Sequence, residues 1–193
     1  MKKSTFASLC ASLFFTIFLM GGLAFSEEML EDLNSTLDVY KSADTMILEV
    51  RKTVKNKMLD KETLSKGMIR FVKGSFYWET LDPEKNLVIY NGKTLWTVQF
   101  PPPEFKDSPI QVAKTKIKNK KNSPIILSEI FGTRPIKSLF NVTLNRKDGG
   151  LLSYNLEEKK PQFGLKNLTI LIDTKSQRVA SIDYVDEVEN ETK

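Results

Sequence analysis

The chain is cut into short β-favouring runs by turn residues, and at one step the cut leaves almost no choice of structure. In "NLVIYNGKTLWTVQF" (86–100) two apolar runs flank Asn91-Gly92. Asn-Gly between such runs is the strongest short-range hairpin signal, because a type I′ turn needs positive φ at both central residues. Similar punctuation recurs upstream. "TMILEVRKTV" (45–54), "SKGMIRFVK" (65–73), "SFYWETL" (75–81), "NLVIY" (86–90) and "KTLWTVQF" (93–100) read as a meander, broken at "KNKMLDKE", Gly74, "DPEK" and Asn91-Gly92. Strands resume at 139–146, 151–158, 166–173 and 178–186, with turns at "KDGG", "KKPQFG" and "DTKSQ".

Between these two sets the pattern changes. "PPPEF" (101–105) cannot join a ladder and reads as a loop. "SPIQVAKTKIKNKK" then sets Val112, Lys114, Lys116, Lys118 and Lys120 against Ala113, Thr115, Ile117 and Asn119, which fits an edge strand with a lysine-rich outer row. Ser123-Pro124 opens and Gly132 stops a short helix over 123–131, and "PIKSLF" adds a further helical turn. At the other end, Leu30, Leu33, Leu37 and Tyr40 fall at helical spacing within 27–42, with acidic residues in the first turn. The outline is one antiparallel sheet of about nine strands, α+β in class, with helices over one open face.

Residues 1–26 stand apart. Lys2 and Lys3 precede a long uncharged apolar run, and Ala24-Phe25-Ser26 supplies small residues before a cut ahead of Glu27. The segment reads as a signal peptide, and 27–193 as a single domain. An uncleaved membrane anchor is the alternative, since the run is long enough to span. Cys10, the one cysteine, lies inside this segment, but Leu9 before it and the apolar run after it do not fit a lipid-modified cysteine. Loss of Lys2 and Lys3 takes the formal charge from +5 to +3, too mild to argue for nucleic acid. Export without disulfides fits a bacterial periplasm.

The chain contains no histidine. That absence removes Ser-His-Asp and Cys-His machinery, histidine-based metal sites and the commonest general base together. No glycine-rich phosphate loop is present, and neither a metal nor a cofactor is expected. A two-carboxylate hydrolase would need acidic residues converging in a pocket. Yet the acids cluster in solvent-like runs, with only a few, such as Asp173 and Asp183, in strand-like stretches. No enzymatic activity is expected. Trp78, Trp96, Phe76, Leu87, Ile89, Leu95 and Val98 crowd three successive strands, either as ordinary core or, for some of them, as the lining of an apolar pocket under the helical cover. The lysine row at 114–121 is a solvated edge or a docking patch for an acidic partner or anionic surface.

These residues resemble a known family. "GMIRFVKGSFYWETLDPEKNLVIYNGKTLW" (67–96) resembles the signature of the LolA-type periplasmic lipoprotein carriers, whose pattern includes an aromatic strand ending near Trp and Asp/Asn-Gly-Lys-x-Leu-Trp. "SPIILSEIFG" is similar to the family's Pro-led helix, and "LKNLTILIDTKSQRVASIDYVDEVENET" to its late strand pair. The resemblance spans roughly 30–193 in order. It implies an unclosed antiparallel β-barrel with a helical lid over an apolar cavity. It implies a monomeric periplasmic chaperone that accepts acylated lipoproteins from an inner-membrane exporter complex and delivers them to an outer-membrane lipoprotein receptor. A lipid-sensing regulatory domain or a (glyco)lipid shuttle of the same fold is the alternative. The candidate lipid-binding residues are Phe76, Trp78, Leu87, Ile89, Trp96, Ile125, Leu127, Ile130 and Ile170. Lys73 stands where the family commonly has an arginine that latches the lid; it keeps the charge without the planar fork.

Overall fold

The computed structural model describes residues 30–72, 75–117, 126–132, 134–161 and 163–193. Helix α1 covers 30–42. The strands are β1 (Thr45–Asn56), β2 (Lys61–Val72), β3 (Ser75–Asp82), β4 (Asn86–Tyr90), β5 (Thr94–Gln99), β6 (Gln111–Lys116), β7 (Phe140–Asp148), β8 (Leu151–Glu158), β9 (Leu165–Asp173), β10 (Arg178–Asp186) and β11 (Glu191–Thr192). Between β6 and β7 lie a short helix α2 (Ile126–Ile130) and a 3₁₀ turn at Ile136–Ser138. Residues 1–26, the expected leader, its expected cut ahead of Glu27, Lys73, Ile125 and the lysines at 118–121 lie outside the described residues.

All eleven strands form one sheet in the order β6-β5-β4-β3-β2-β1-β11-β10-β9-β8-β7. β6 and β7 are its edges and do not pair, so the barrel is unclosed. The sheet has two halves, β1–β6 and β7–β10, and what joins them is slight. Two-residue β11 pairs with β1 only at Val54 and Lys55, and with β10 only at Tyr184 and Val185. Backbone bonds between Thr53 and Lys193 extend the seam by one residue. Beyond it, the rest of β1 and β10 have no strand between them.

The Asn91-Gly92 turn forms, but not as type I′. Gly92 has φ +87° while Asn91 is not in the left-handed region. Instead Asn91 Oδ1 accepts the Thr94 N–H at 2.9 Å and the Lys93 N–H at 3.2 Å, so the side chain organises a loop in which Tyr90 pairs with Leu95. The "KNKMLDKE" break is also shorter than its composition suggests. β1 runs on to Asn56 and β2 starts at Lys61, giving the two longest strands of the sheet.

The halves differ in packing. In β8 and β9 strict alternation buries Leu152, Tyr154 and Leu156 against Leu168, Ile170 and Ile172. Leu33 and Leu37, one turn apart on α1, and Ile126 and Ile130 of α2 complete that core. The helices are therefore anchored to the β7–β10 half. Across β4 and most of β5, by contrast, successive residues on both faces are half-buried, so neither face is sealed.

Gly67 shows how tightly β2 and β3 are fitted. A Cβ there would fall inside van der Waals contact of the Glu79 carbonyl oxygen and 3.0 Å from Thr80 Cα, where a bulge shifts the register beside Lys66. Both obstacles are backbone and cannot swing aside. Gly67→Ala should lower stability by about 1–3 kcal/mol, the usual cost of overpacking. Urea unfolding checks this; an unchanged midpoint would show that the seam is looser than drawn.

Candidate functional site

Where β1 and β10 part, a cavity of about 270 Å³ opens on the face that the helices cover. Its first wall is the inward row of β1 (Leu48, Val50 and Lys52) with Ile69 of β2 and Trp78 of β3. Its second wall is Val179, Ile182 and Tyr184 of β10, where two register shifts bend the strand and re-aim its side chains. Ile126 and Leu127 of α2 and the following Phe131 roof it, and Tyr40 of α1 closes the side. The backbone N–H of Val179 donates to Tyr40 Oη at 2.9 Å, tying α1 to the wall at the bulge. The lining is mainly apolar, as an apolar ligand requires.

Aromatic rings fasten the roof across the gap. Phe131 lies 5.1 Å from Tyr40 and 5.4 Å from Phe71, ring centre to ring centre, and the series continues through Phe76 to Tyr90 at 6.2 and 5.9 Å. The helix grips one half of the sheet through Ile126 and Ile130 and reaches the other through Phe131.

Pairing register settles which sequence candidates meet. Ile69, Trp78 and Val88 stand in one row across β2, β3 and β4, and Phe71, Phe76, Tyr90 and Leu95 in the next. Both rows face inward with Leu48 and Met46 of β1. Leu87 pairs with Glu79 and Val98, and Ile89 with Tyr77 and Trp96, so these form the opposite face. Of the expected lipid-binding residues, Trp78 and Leu127 line the cavity and Phe76 is buried one row beyond it. Ile130 and Ile170 are fully buried in the closed core. Leu87, Ile89 and Trp96 do not share the cavity's face, a correction to any grouping of all these residues around one pocket. The physical reason is the period of two: one residue of offset moves a strand's whole apolar set to the other side. Ile125 and Lys73 lie outside the described residues.

The outer face has its own chemistry. Arg70 lies over the Tyr77 ring at 5.8 Å, and Lys114 over Trp96 at 5.9 Å. Lys85 lies over Phe100 at 5.0 Å and pairs with Glu79 at 3.4 Å. Lys114 and Lys116 of the expected lysine row sit on this face, directly across from Trp96 and Thr94.

Sequence reading missed Leu48, Val50, Lys52, Phe131, Val179 and Ile182. The alternation of "MILEVRK" was a usable signal for the first three, since it sets Met46, Leu48, Val50 and Lys52 on one side. The acidic residues do not converge here. Asp173 caps its own turn, accepting the Ser176 hydroxyl at 2.9 Å and the Lys175 N–H at 2.9 Å, which hold its carboxyl below the usual range. Asp183 pairs across from Thr169, on the face away from Ile170 and Ile182. Among the described residues no cluster of acidic residues could hold a metal ion, and no helix is long and apolar enough to cross a membrane.

The sequence profile of a family described as outer membrane lipoprotein carrier protein LolA matches residues 42–193. No curated protein matches. Among solved structures, a LolA superfamily protein from Nitrosomonas europaea is similar at 11% identity, over 84% of this chain and 74% of that one, with a TM-score of 0.42. A domain described as an outer membrane lipoprotein-sorting protein, from Vibrio parahaemolyticus, is similar at 12% identity over 88% of each chain, with a TM-score of 0.43.

Proposed function

The chain belongs to the LolA family of outer membrane lipoprotein carrier proteins, and from that premise we propose that it shelters acyl chains of lipoproteins released from the inner membrane and delivers them to an outer-membrane receptor. Members of the family are periplasmic carrier chaperones rather than enzymes. On this proposal residues 1–26 are a cleaved leader and 27–193 the carrier domain. The observation that carries the reading is the roofed apolar cavity at the split between β1 and β10.

The split explains how one site can both load and release. Burying a methylene contributes about 0.8 kcal/mol, so a chain of about 14 methylenes represents roughly 11 kcal/mol of transfer from water. A preformed pocket of full length would hold such a chain too long for transfer. A cavity of about 270 Å³ lies just below the roughly 300–1,000 Å³ typical of ligand pockets. It therefore takes part of a chain at rest, and further uptake requires the roof to lift from β2. Part of the transfer energy is spent on that opening and returned on closing. The exporter then supplies the energy for loading, and unloading needs only a receptor of higher affinity.

The test is transfer of a labelled lipoprotein from this protein to its receptor without nucleotide, after native mass spectrometry of the periplasmic protein has identified bound acylated species. Transfer without ATP, with intact cargo, is expected. A requirement for ATP at that step, or hydrolysis of the cargo, would overturn the carrier reading; a bound glycolipid in place of lipoprotein would redirect it to a lipid shuttle.

A further inference from the structure

The cavity is not uniformly apolar: one end carries a cation. Lys52 continues the half-buried inward row of Leu48 and Val50; Glu49 and Arg51, exposed residues of the alternate row, and Lys193 also border the cavity. Its cross-strand partner is Ser65, and its Nζ lies 5.2 Å from the centre of the Trp78 ring. Among the described residues no carboxylate pairs with it. The hydroxyl side chains of Tyr184 and Thr192 border the cavity at the β11 seam, the end nearest Lys52. Ile126, Leu127 and Phe131 border it from the roof. From Lys52 to Leu48 is four residues of strand, about 13 Å. The inward row is thus apolar along Leu48, Ile69 and the roof, with its half-buried cation, Lys52, towards the seam.

A lysine at this position is expensive. Withdrawing an ammonium from water without a counter-charge opposes the charged form, and burial does push Lys52 below the usual lysine range. The Trp78 face compensates in part, since a cation over an indole is attracted to its π-system. A methionine would fill the same space at no such cost. The placement makes physical sense if the missing counter-charge arrives with the ligand.

Resting on the carrier reading, we propose that the cavity binds an anionic amphiphile, with the alkyl chain along Leu48, Ile69 and the α2 roof and a single negative head group held by Lys52. A fatty-acid carboxylate and a phospholipid phosphate share this chemistry. Charge-assisted hydrogen bonding to a desolvated ammonium should favour the anion over a neutral head on the same chain by at least about tenfold.

The experiment is displacement of the neutral probe N-phenyl-1-naphthylamine by dodecanoate, dodecyl phosphate and 1-dodecanol, from the wild-type protein and from the Lys52→Met, Lys52→Gln and Lys52→Arg variants. One or both anions should displace the probe at least about tenfold better than dodecanol in the wild type and in Lys52→Arg. The advantage should vanish in Lys52→Met, with Lys52→Gln providing the same test should the methionine variant fold poorly. Whichever anion binds tighter identifies the head-group source. Equal affinities for anion and alcohol in the wild type, or an anion preference that survives loss of the charge, would overturn the proposal while leaving the carrier reading intact. If no amphiphile displaces the probe, both fall.

Discussion

Leu48→Asp should reduce acyl-chain uptake about 100-fold, whereas Ile89→Asp should leave it within about twofold, because a carboxylate is costly only where the ligand would desolvate it. Both residues are aliphatic, half-buried and mid-strand, so propensity and chain position do not distinguish them. What separates them is the face. Leu48 stands across from Ile69 on the cavity wall, and Ile89 across from Tyr77 and Trp96 on the other side of the sheet. The same change at Trp78 is a less clean test, since the new carboxylate would sit near Lys52, now 5.2 Å from the indole centre, and pair with it. Circular dichroism must first show that both variants fold. Fluorescence titration with an acyl probe then gives the comparison. Equal loss at the two positions would mean that the ligand contacts both faces, and the site at the β1–β10 split would be abandoned.

The parity that decides this prediction was only half legible in the sequence. The type I′ turn expected at Asn91-Gly92 would pair Ile89 with Thr94 and Leu87 with Trp96; the four-residue loop instead pairs Ile89 with Trp96 and Leu87 with Val98. Both registers keep the same residues on each face, whereas a three-residue loop would have reversed them. Across "DPEK" the loop length is ambiguous, and the face of Leu87 and Ile89 relative to Trp78 depends on it. The meander, the late strands and the α1 stripe were readable because each rests on local periodicity and turn chemistry. The cavity was not readable, because it exists only where Val54 meets Thr192 through a strand of two residues. No periodicity can announce so short a strand, and the contact joins opposite ends of the chain. Ile170 illustrates a related limit. Its alternation with Leu168 and Ile172 fixed an inward face, but only the packing of α1 and α2 determines that this stretch is sealed core.

Phe131→Ala should speed release of bound cargo by about 2–10-fold while leaving the β7–β10 core in place. α2 is five residues long and could not hold its shape alone. Ile126 and Ile130, both buried, fix it to one half of the sheet, and those contacts persist in the variant. The reach to the other half is the ring of Phe131 against Phe71, while its contact with Tyr40 stays on the α1 side. Aromatic pairs contribute about 0.5–1.5 kcal/mol each beyond area burial. Only the pair with Phe71 crosses the gap, so its loss removes about 0.5–1.5 kcal/mol from the closed state, and every 1.4 kcal/mol is about tenfold in the equilibrium. Phe131→Leu keeps apolar area without ring geometry and should fall between alanine and wild type. Ile130→Ala should behave oppositely: a fully buried aliphatic side chain lost from the core costs about 2–5 kcal/mol of global stability, lowering the unfolding midpoint more than Phe131→Ala does. Stopped-flow release of a labelled acyl probe, set beside urea unfolding of the same variants, separates the two effects. If Phe131→Ala lowers stability as much as Ile130→Ala and leaves the release rate unchanged, Phe131 is core like its neighbour, and the roof opens elsewhere.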